Sequence, residues 1–116
     1  MDDKLQCDNR KFDRVTFRRA VKFRMDTGEV NSVRLASDIG QGGMRMNSSD
    51  FIPLGSLVRV YFQFEDEGRL LDLEGKVVWG RYLPRFDGYQ FGLEFSGGSL
   101  PEKQNIAQYV HKVRGG

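Results

Sequence analysis

The chain has few of the residues on which disulfides and metal centres depend. Its 116 residues include one cysteine, one histidine and three prolines. Cys7 alone cannot form an intramolecular disulfide, and with His111 it cannot supply a zinc ligand set. The position of these two residues at opposite ends of the chain also argues against a Cys/His nucleophile pair. The 16 acidic residues offer many carboxylate pairs but single out none. We therefore expect neither an enzyme nor a metal or cofactor site.

A charge of one sign and a long apolar run are also missing. Lysine and arginine total 18 against 16 acidic residues, a net charge of +2, so the balance does not indicate a nucleic-acid partner. No run approaches the roughly 18 apolar residues needed to cross a bilayer, and the N-terminus has no signal-peptide pattern. We expect a cytoplasmic protein without a membrane partner, unless the chain is a domain of a longer membrane protein. Its length fits one domain, and we predict a polar tail over residues 1–13 and a folded domain over residues 14–116.

Apolar and polar residues alternate with a period of two through most of the chain, which predicts strands. In the first, Val21 and Phe23 share one face, and a turn follows at Thr27 and Gly28. In the second, Val33 and Leu35 alternate against Arg34 and Ala36, and the glycine-rich stretch 38–43 then interrupts the sheet. The six predicted strands lie within residues 19–26, 30–37, 44–47, 57–64, 69–82 and 89–95.

The end of the chain has the pattern of a helix. Ser99 to Glu102 has the spacing of a capping box, and an apolar stripe of helical period predicts a helix over residues 100–113. The stripe consists of Ile106, Tyr109, Val110 and Val113. Six strands with frequent turns and one terminal helix predict an all-β protein, a six-stranded antiparallel β-barrel, because closure removes the edges of an open sheet. We expect Trp79 in the core of this barrel.

Arginine supplies 12 of the 18 basic residues, and a pair of arginines lies just before the first predicted strand. Arg14 and Arg18 form an RxxxR segment, followed directly by Arg19. In an extended chain, residues four apart point to the same side, so two guanidinium groups could reach one ligand. Guanidinium groups bind phosphate oxygens and guanine edges bidentately and stack on purines. The same residues alone also fit a solvated basic segment, and the glycines after Asp38 fit a bulged turn.

Together these residues resemble the PilZ domain family, which has RxxxR before its first strand and (D/N)xSxxG after its second. Here the second motif runs from Asp38 to Gly43, with Gly40 where the family usually has serine. The resemblance extends in order through Arg19-Ala20-Val21, Gly43-Met44-Arg45-Met46, Gly75-Lys76-Val77-Val78-Trp79 and Gly92-Leu93-Glu94-Phe95. It covers residues 14–95.

The resemblance implies a barrel that binds the second messenger cyclic di-GMP and relays the signal to a partner protein. By position, Arg14 and Arg18, with Arg19 beside them, would bind phosphate and guanine. Asp38 would accept hydrogen bonds from guanine, and Gly43 would permit a tight loop. Gly40 lacks a hydroxyl worth about 0.5 to 1.5 kcal/mol, so binding would be weaker. Residues 10–18 would be mobile until the ligand orders them, because a charged segment buries too little apolar surface.

Two other functions remain open. A degenerate PilZ-like domain that has lost its ligand would serve only as a protein-interaction domain. A small barrel could also bind single-stranded nucleic acid through surface arginines and aromatic rings. The acidic residues interspersed among the basic ones, such as Asp66, Glu67 and Asp72, make this last function the less expected of the two.

Overall fold

Strands account for just over half of the residues that the structure describes, and a helix ends the described part of the chain. The computed structural model describes residues 14–25, 32–64, 68–96 and 100–115. The predicted tail over residues 1–13, the turn at Thr27 and Gly28, and Ser99 of the capping box lie outside these ranges. The elements are β1 (Arg14–Thr16), β2 (Ala20–Met25), β3 (Ser32–Gly40), β4 (Gly43–Ser48), β5 (Leu57–Phe62), β6 (Leu71–Leu83), a short 3-10 helix (Pro84–Phe86), β7 (Gly88–Phe95) and α1 (Leu100–Gly115).

Six of the strands close into an antiparallel barrel. They follow the order β3, β2, β5, β6, β7 and β4, and β4 pairs back with β3. The predicted six-stranded barrel with a C-terminal helix is therefore confirmed. The seventh strand, β1, was not predicted. It pairs with the end of β3, so that Arg14 lies opposite Gly40 and Thr16 opposite Asp38.

Strands β1 and β2 lie one after the other along the same side of β3. Between them, the Phe17 amide donates to the Ser37 carbonyl and the Ala36 amide donates to the Arg19 carbonyl, both at 2.9 Å. Val15 and Phe17 are buried in the core. The expectation that the arginine segment has too few apolar contacts to be held is thus wrong for residues 14–17, because their two apolar side chains point into the barrel.

The barrel interior is filled by buried aliphatic, methionine and phenylalanine side chains, and α1 packs against it through Ile106 and Val110. The Tyr109 ring stacks on the Phe64 ring at 4.1 Å between centroids. Val113, expected on the same stripe, is 49% exposed. The last five residues of α1 are exposed as well, so the helix runs past the core that it covers. No helix in the described ranges is both long and apolar enough to cross a membrane.

A bulge at Ser37 reverses the alternation along β3. The register with β4 shifts between Ala36 and Asp38, which leaves Ser37 as the extra residue. Before the bulge Ala36 is buried and Leu35 is 60% exposed, whereas after it Ile39 is buried. The predicted inner face of Val33 and Leu35 is therefore the outer face. The same shift turns Asp38 outward, although it lies two residues after the buried Ala36.

A second bulge, at Val78 in β6, reverses the alternation along that strand and turns Trp79 outward. Here the register with β7 shifts between Val77 and Trp79. Val77 is buried, but the Trp79 ring lies on the outer face across Gly92, where an added Cβ would approach Trp79 Cε2 to 2.6 Å. The expectation that Trp79 belongs to the core is wrong, because an inward-facing position of β6 becomes outward-facing beyond the bulge.

The glycine-rich stretch does not interrupt the sheet as expected. Strand β3 continues to Gly40, and β4 begins at Gly43, so only Gln41 and Gly42 form the turn between them. Of the glycines that the structure describes, Gly55 alone has a positive φ, 85°. Gly40 and Gly43 thus have ordinary strand backbone.

Candidate functional site

Asp38 lies at the centre of a group of arginines on the outer face of the barrel. Arg14 Nη1 is 2.8 Å from Asp38 Oδ1. Arg45, directly opposite on β4, pairs with Asp38 Oδ2. The Asp38 side chain is only 12% exposed, and a carboxylate removed from water to this extent needs such partners. Both oxygens of Asp38 are therefore held in place by cations.

A recess of about 520 Å³ opens beside Asp38. Three arginines line it, together with polar side chains from β1, β4 and β7: Arg18, Arg45, Arg81, Thr16, Asn47 and Gln90. Guanidinium groups suit phosphate oxygens and guanine edges, and a carboxylate suits a ligand with N–H donors. The recess thus fits an anionic ligand that also carries hydrogen-bond donors.

The structure places Arg14, Arg18 and Asp38 close together, as the motifs predict. The two arginines lie in different elements and relate to Asp38 differently. Arg14 contacts Asp38 from β1, whereas Arg18 lies in the link between β1 and β2 and lines the recess. Arg18 is exposed and makes no hydrogen bond or ion pair with the residues that the structure describes. Its guanidinium group therefore has no partner in this part of the chain.

Arg19 is not part of this group. It lines a different recess with Lys22, Tyr61 and Leu70, and its Nη1 donates to the Gln63 carbonyl at 3.4 Å. Neighbouring residues of an extended segment point to opposite sides, and this separates Arg19 from Arg18. Its place in the predicted site has no support from the geometry.

Gly40 and Gly43 lie opposite each other at the ends of β3 and β4. Gly40 is buried and also faces Arg14 on β1. A Cβ at Gly43 would clash with the Leu93 carbonyl oxygen of β7. The requirement for glycine at position 43 thus comes from the close approach of two strands and not from a tight loop.

Several recess residues were not identified from the sequence. Arg45 and Asn47 alternate with Met44 and Met46, which marks them as outward-facing but says nothing about their neighbours. Arg81 lies opposite Gln90 in the β6–β7 register, and Gln90 lies opposite Asn47 in the β7–β4 register. No sequence signal gives these pairings. In the described ranges, no group of three or more His, Cys, Asp and Glu side chains is placed to hold a metal ion.

Comparisons with known proteins identify a family and a shared fold. A family model described as the PilZ domain matches residues 8–112, whereas no curated protein sequence matches. The structure of the Bacillus subtilis inhibitor of motility (MotI/DgrA) superposes with a TM-score of 0.80 at 20% identity, over 90% of this chain and 51% of that one. The PilZ domain of CeSA from a cellulose-synthesizing bacterium gives 0.63 at 14% identity, over 87% and 97%.

A complex of MrkH from K. pneumonia with cyclic di-GMP gives a TM-score of 0.70 at 17% identity, over 90% of this chain and 52% of that one. The chain thus spans about half the length of MotI/DgrA and of MrkH. At these identities the three structures show that the fold is shared.

Proposed function

The chain belongs to the PilZ domain family, and on that premise we propose that residues 14–116 form a receptor domain for cyclic di-GMP. As a PilZ domain it is a non-catalytic effector domain and not an enzyme. The proposal depends on one observation, the position of Asp38. This residue is ion-paired with Arg14 and Arg45 at the edge of a recess that Arg18 also lines. Three of these four residues are the motif positions that the family resemblance identifies.

The ligand carries two phosphates and two guanines, and the site offers a partner for each of these two kinds of group. Arg18, without a partner in the described part of the chain, would bind a phosphate oxygen or the guanine O6 and N7 edge bidentately. Asp38 would accept from guanine N–H groups, since a carboxylate has about four lone-pair sites and two already accept from arginine. Gly40 supplies no hydroxyl, which lowers the affinity by about tenfold at most.

We propose further that binding changes the N-terminal segment and that a partner protein reads this change. Residues 14–17 are anchored by β1 and by Phe17, so the change is confined to Arg18 and to the residues before Arg14. Amide hydrogen exchange over residues 10–18, with and without ligand, tests this relay. We expect slow exchange at Phe17 in both states and ligand-dependent protection at Arg18. Equal exchange at every position in both states would refute the relay and leave the receptor proposal intact.

Calorimetric titration with cyclic di-GMP tests the receptor proposal, with GMP and cyclic di-AMP as controls for the dinucleotide and for guanine. We expect saturable heat with cyclic di-GMP alone. No heat at millimolar cyclic di-GMP would refute the proposal and favour a domain that only binds proteins. Binding of a single-stranded oligonucleotide in place of cyclic di-GMP would favour the nucleic-acid function.

A further inference from the structure

A chain of hydrogen bonds crosses the outer face of the barrel and ends at the recess. Arg81 Nη2 on β6 donates to Gln90 Oε1 on β7 at 3.0 Å. Gln90 Nε2 then donates to Asn47 Oδ1 on β4 at 3.3 Å. Asn47 Nδ2 donates in turn to Ser37 Oγ on β3 at 2.7 Å. Four side chains from four strands are thus connected head to tail.

The direction of this chain is fixed by Arg81. A guanidinium group can only donate hydrogen bonds, so Gln90 must present its oxygen to Arg81 and its amide nitrogen to Asn47. Asn47 must then present its oxygen to Gln90 and its nitrogen to Ser37, since the hydrogen-bond network decides amide orientation. Ser37 Oγ therefore accepts from Asn47, and its own hydroxyl hydrogen is left to donate elsewhere.

Ser37 is placed to offer this hydrogen to a ligand. It is the bulge residue next to Asp38, it is half-buried, and it lines the recess. Its backbone carbonyl already accepts from the Phe17 amide. No described residue accepts a hydrogen bond from the Ser37 hydroxyl. The recess beside it carries Arg18, Arg45 and Arg81, so the charged group drawn to this end is an anion.

We infer that Ser37 donates a hydrogen bond to a phosphodiester oxygen of the bound nucleotide, a contact separate from the one that a hydroxyl at position 40 would make. Arg81, Gln90 and Asn47 are positioning residues that hold the Ser37 hydroxyl in its donating orientation. The inference rests on the proposed cyclic di-GMP function and adds a contact from a residue outside both sequence motifs. The bulge in β3 thus turns Asp38 outward and also adds the Ser37 hydroxyl to the site as a hydrogen-bond donor.

A double-mutant cycle tests the inference by calorimetric titration with cyclic di-GMP. The variants are Ser37→Ala, Gln90→Leu and the two combined, and Gln104→Leu on the exposed face of α1 is the matched control. We expect each single change to weaken binding about twofold to tenfold, the value of one hydrogen bond. The double variant should bind cyclic di-GMP as tightly as the single variant with the lower affinity, because both changes remove the same contact. Ser37→Thr keeps the hydroxyl and should bind like the unmodified chain.

Wild-type binding separates the two proposals. If the unmodified chain binds cyclic di-GMP and Ser37→Ala binds equally well, or if the two losses are additive, the inference is wrong while the receptor function stands. If the unmodified chain does not bind, both are wrong. A ligand-free measurement is also available, because Arg81→Met should shift the side-chain amide NMR signals of Asn47 and Gln90. Unshifted signals would show that Arg81 does not orient the chain.

Discussion

The backbone of Leu93 on β7 passes so close to Gly43 on β4 that no side chain fits between the two strands. A Cβ at Gly43 would clash with the Leu93 carbonyl oxygen and would lie 3.0 Å from the carbonyl carbon. Neither atom belongs to a flexible side chain, so relief requires one strand to move away from the other. The pairing of β4 with β7 connects β3 and β4, which carry Asp38 and Arg45, to the rest of the barrel.

Gly43→Ala should therefore destabilise the domain by about 3 kcal/mol, the upper end for overpacking. For a domain of this size that lowers the melting temperature by on the order of 10 °C. The matched control is Gly80→Ala on β6, where the added Cβ would lie 3.7 Å from its nearest neighbours, an ordinary contact. Equal melting temperatures for the two variants would contradict the close approach.

Phe17 anchors the segment that carries the motif arginines. The residue is 2% exposed, and its ring makes edge-to-face contacts with Phe62, Phe64 and Tyr109, at 5.4 to 5.8 Å between centroids. Phe17→Ala should cost about 3 to 5 kcal/mol in the free energy of unfolding, measured by urea denaturation. Phe86→Ala, at a position 77% exposed, is the control and should change little. A loss below 1 kcal/mol would mean that the segment is not part of the folded core.

Arg18 and Arg19 are neighbours in sequence that face different recesses. Arg18→Ala should weaken cyclic di-GMP binding by about tenfold to a hundredfold, the effect of losing a charge-assisted hydrogen bond of about 1.5 to 3 kcal/mol. Arg19→Ala removes the same charge and should leave the affinity within about twofold. Calorimetry at two salt concentrations separates a specific contact from general attraction. Equal losses in both variants would show that only the net charge matters.

Gly40 has strand backbone, so a side chain there requires no left-handed conformation. It lies two residues beyond Asp38 on the same face of β3, and Gly40→Ser should therefore restore a hydroxyl to the site and tighten cyclic di-GMP binding by up to about tenfold. Gly80→Ser on β6 controls for the added hydroxyl. An unchanged affinity would show that position 40 does not face the ligand, and a lower melting temperature with weaker binding would show that the buried position has no room.

The sequence was sufficient for the barrel and for singling out part of the candidate site. Val58, Val60 and Phe62 are buried in β5 where strict alternation places them, and Ile106 and Val110 are buried in α1 at helical spacing. Both patterns are local, because the burial of each apolar side chain depends on the period of its own element. The two motifs identified Arg14, Arg18 and Asp38 for a similar reason, since each is a short segment with fixed spacing. The alternation in β3 was misread because one extra residue at position 37 leaves no mark on composition.

What the sequence by itself determined is therefore the six barrel strands, the C-terminal helix and the barrel fold, and for the candidate site it singled out Arg14, Arg18 and Asp38. The tertiary structure alone decided which faces the bulges at Ser37 and Val78 turn outward, and it alone brought Arg81, Gln90 and Asn47 into line with Ser37. The physical reason is that cross-strand neighbours depend on register. Register in a closed barrel is fixed by pairings between strands far apart in the chain, and a shift of one residue moves every later side chain to the other face.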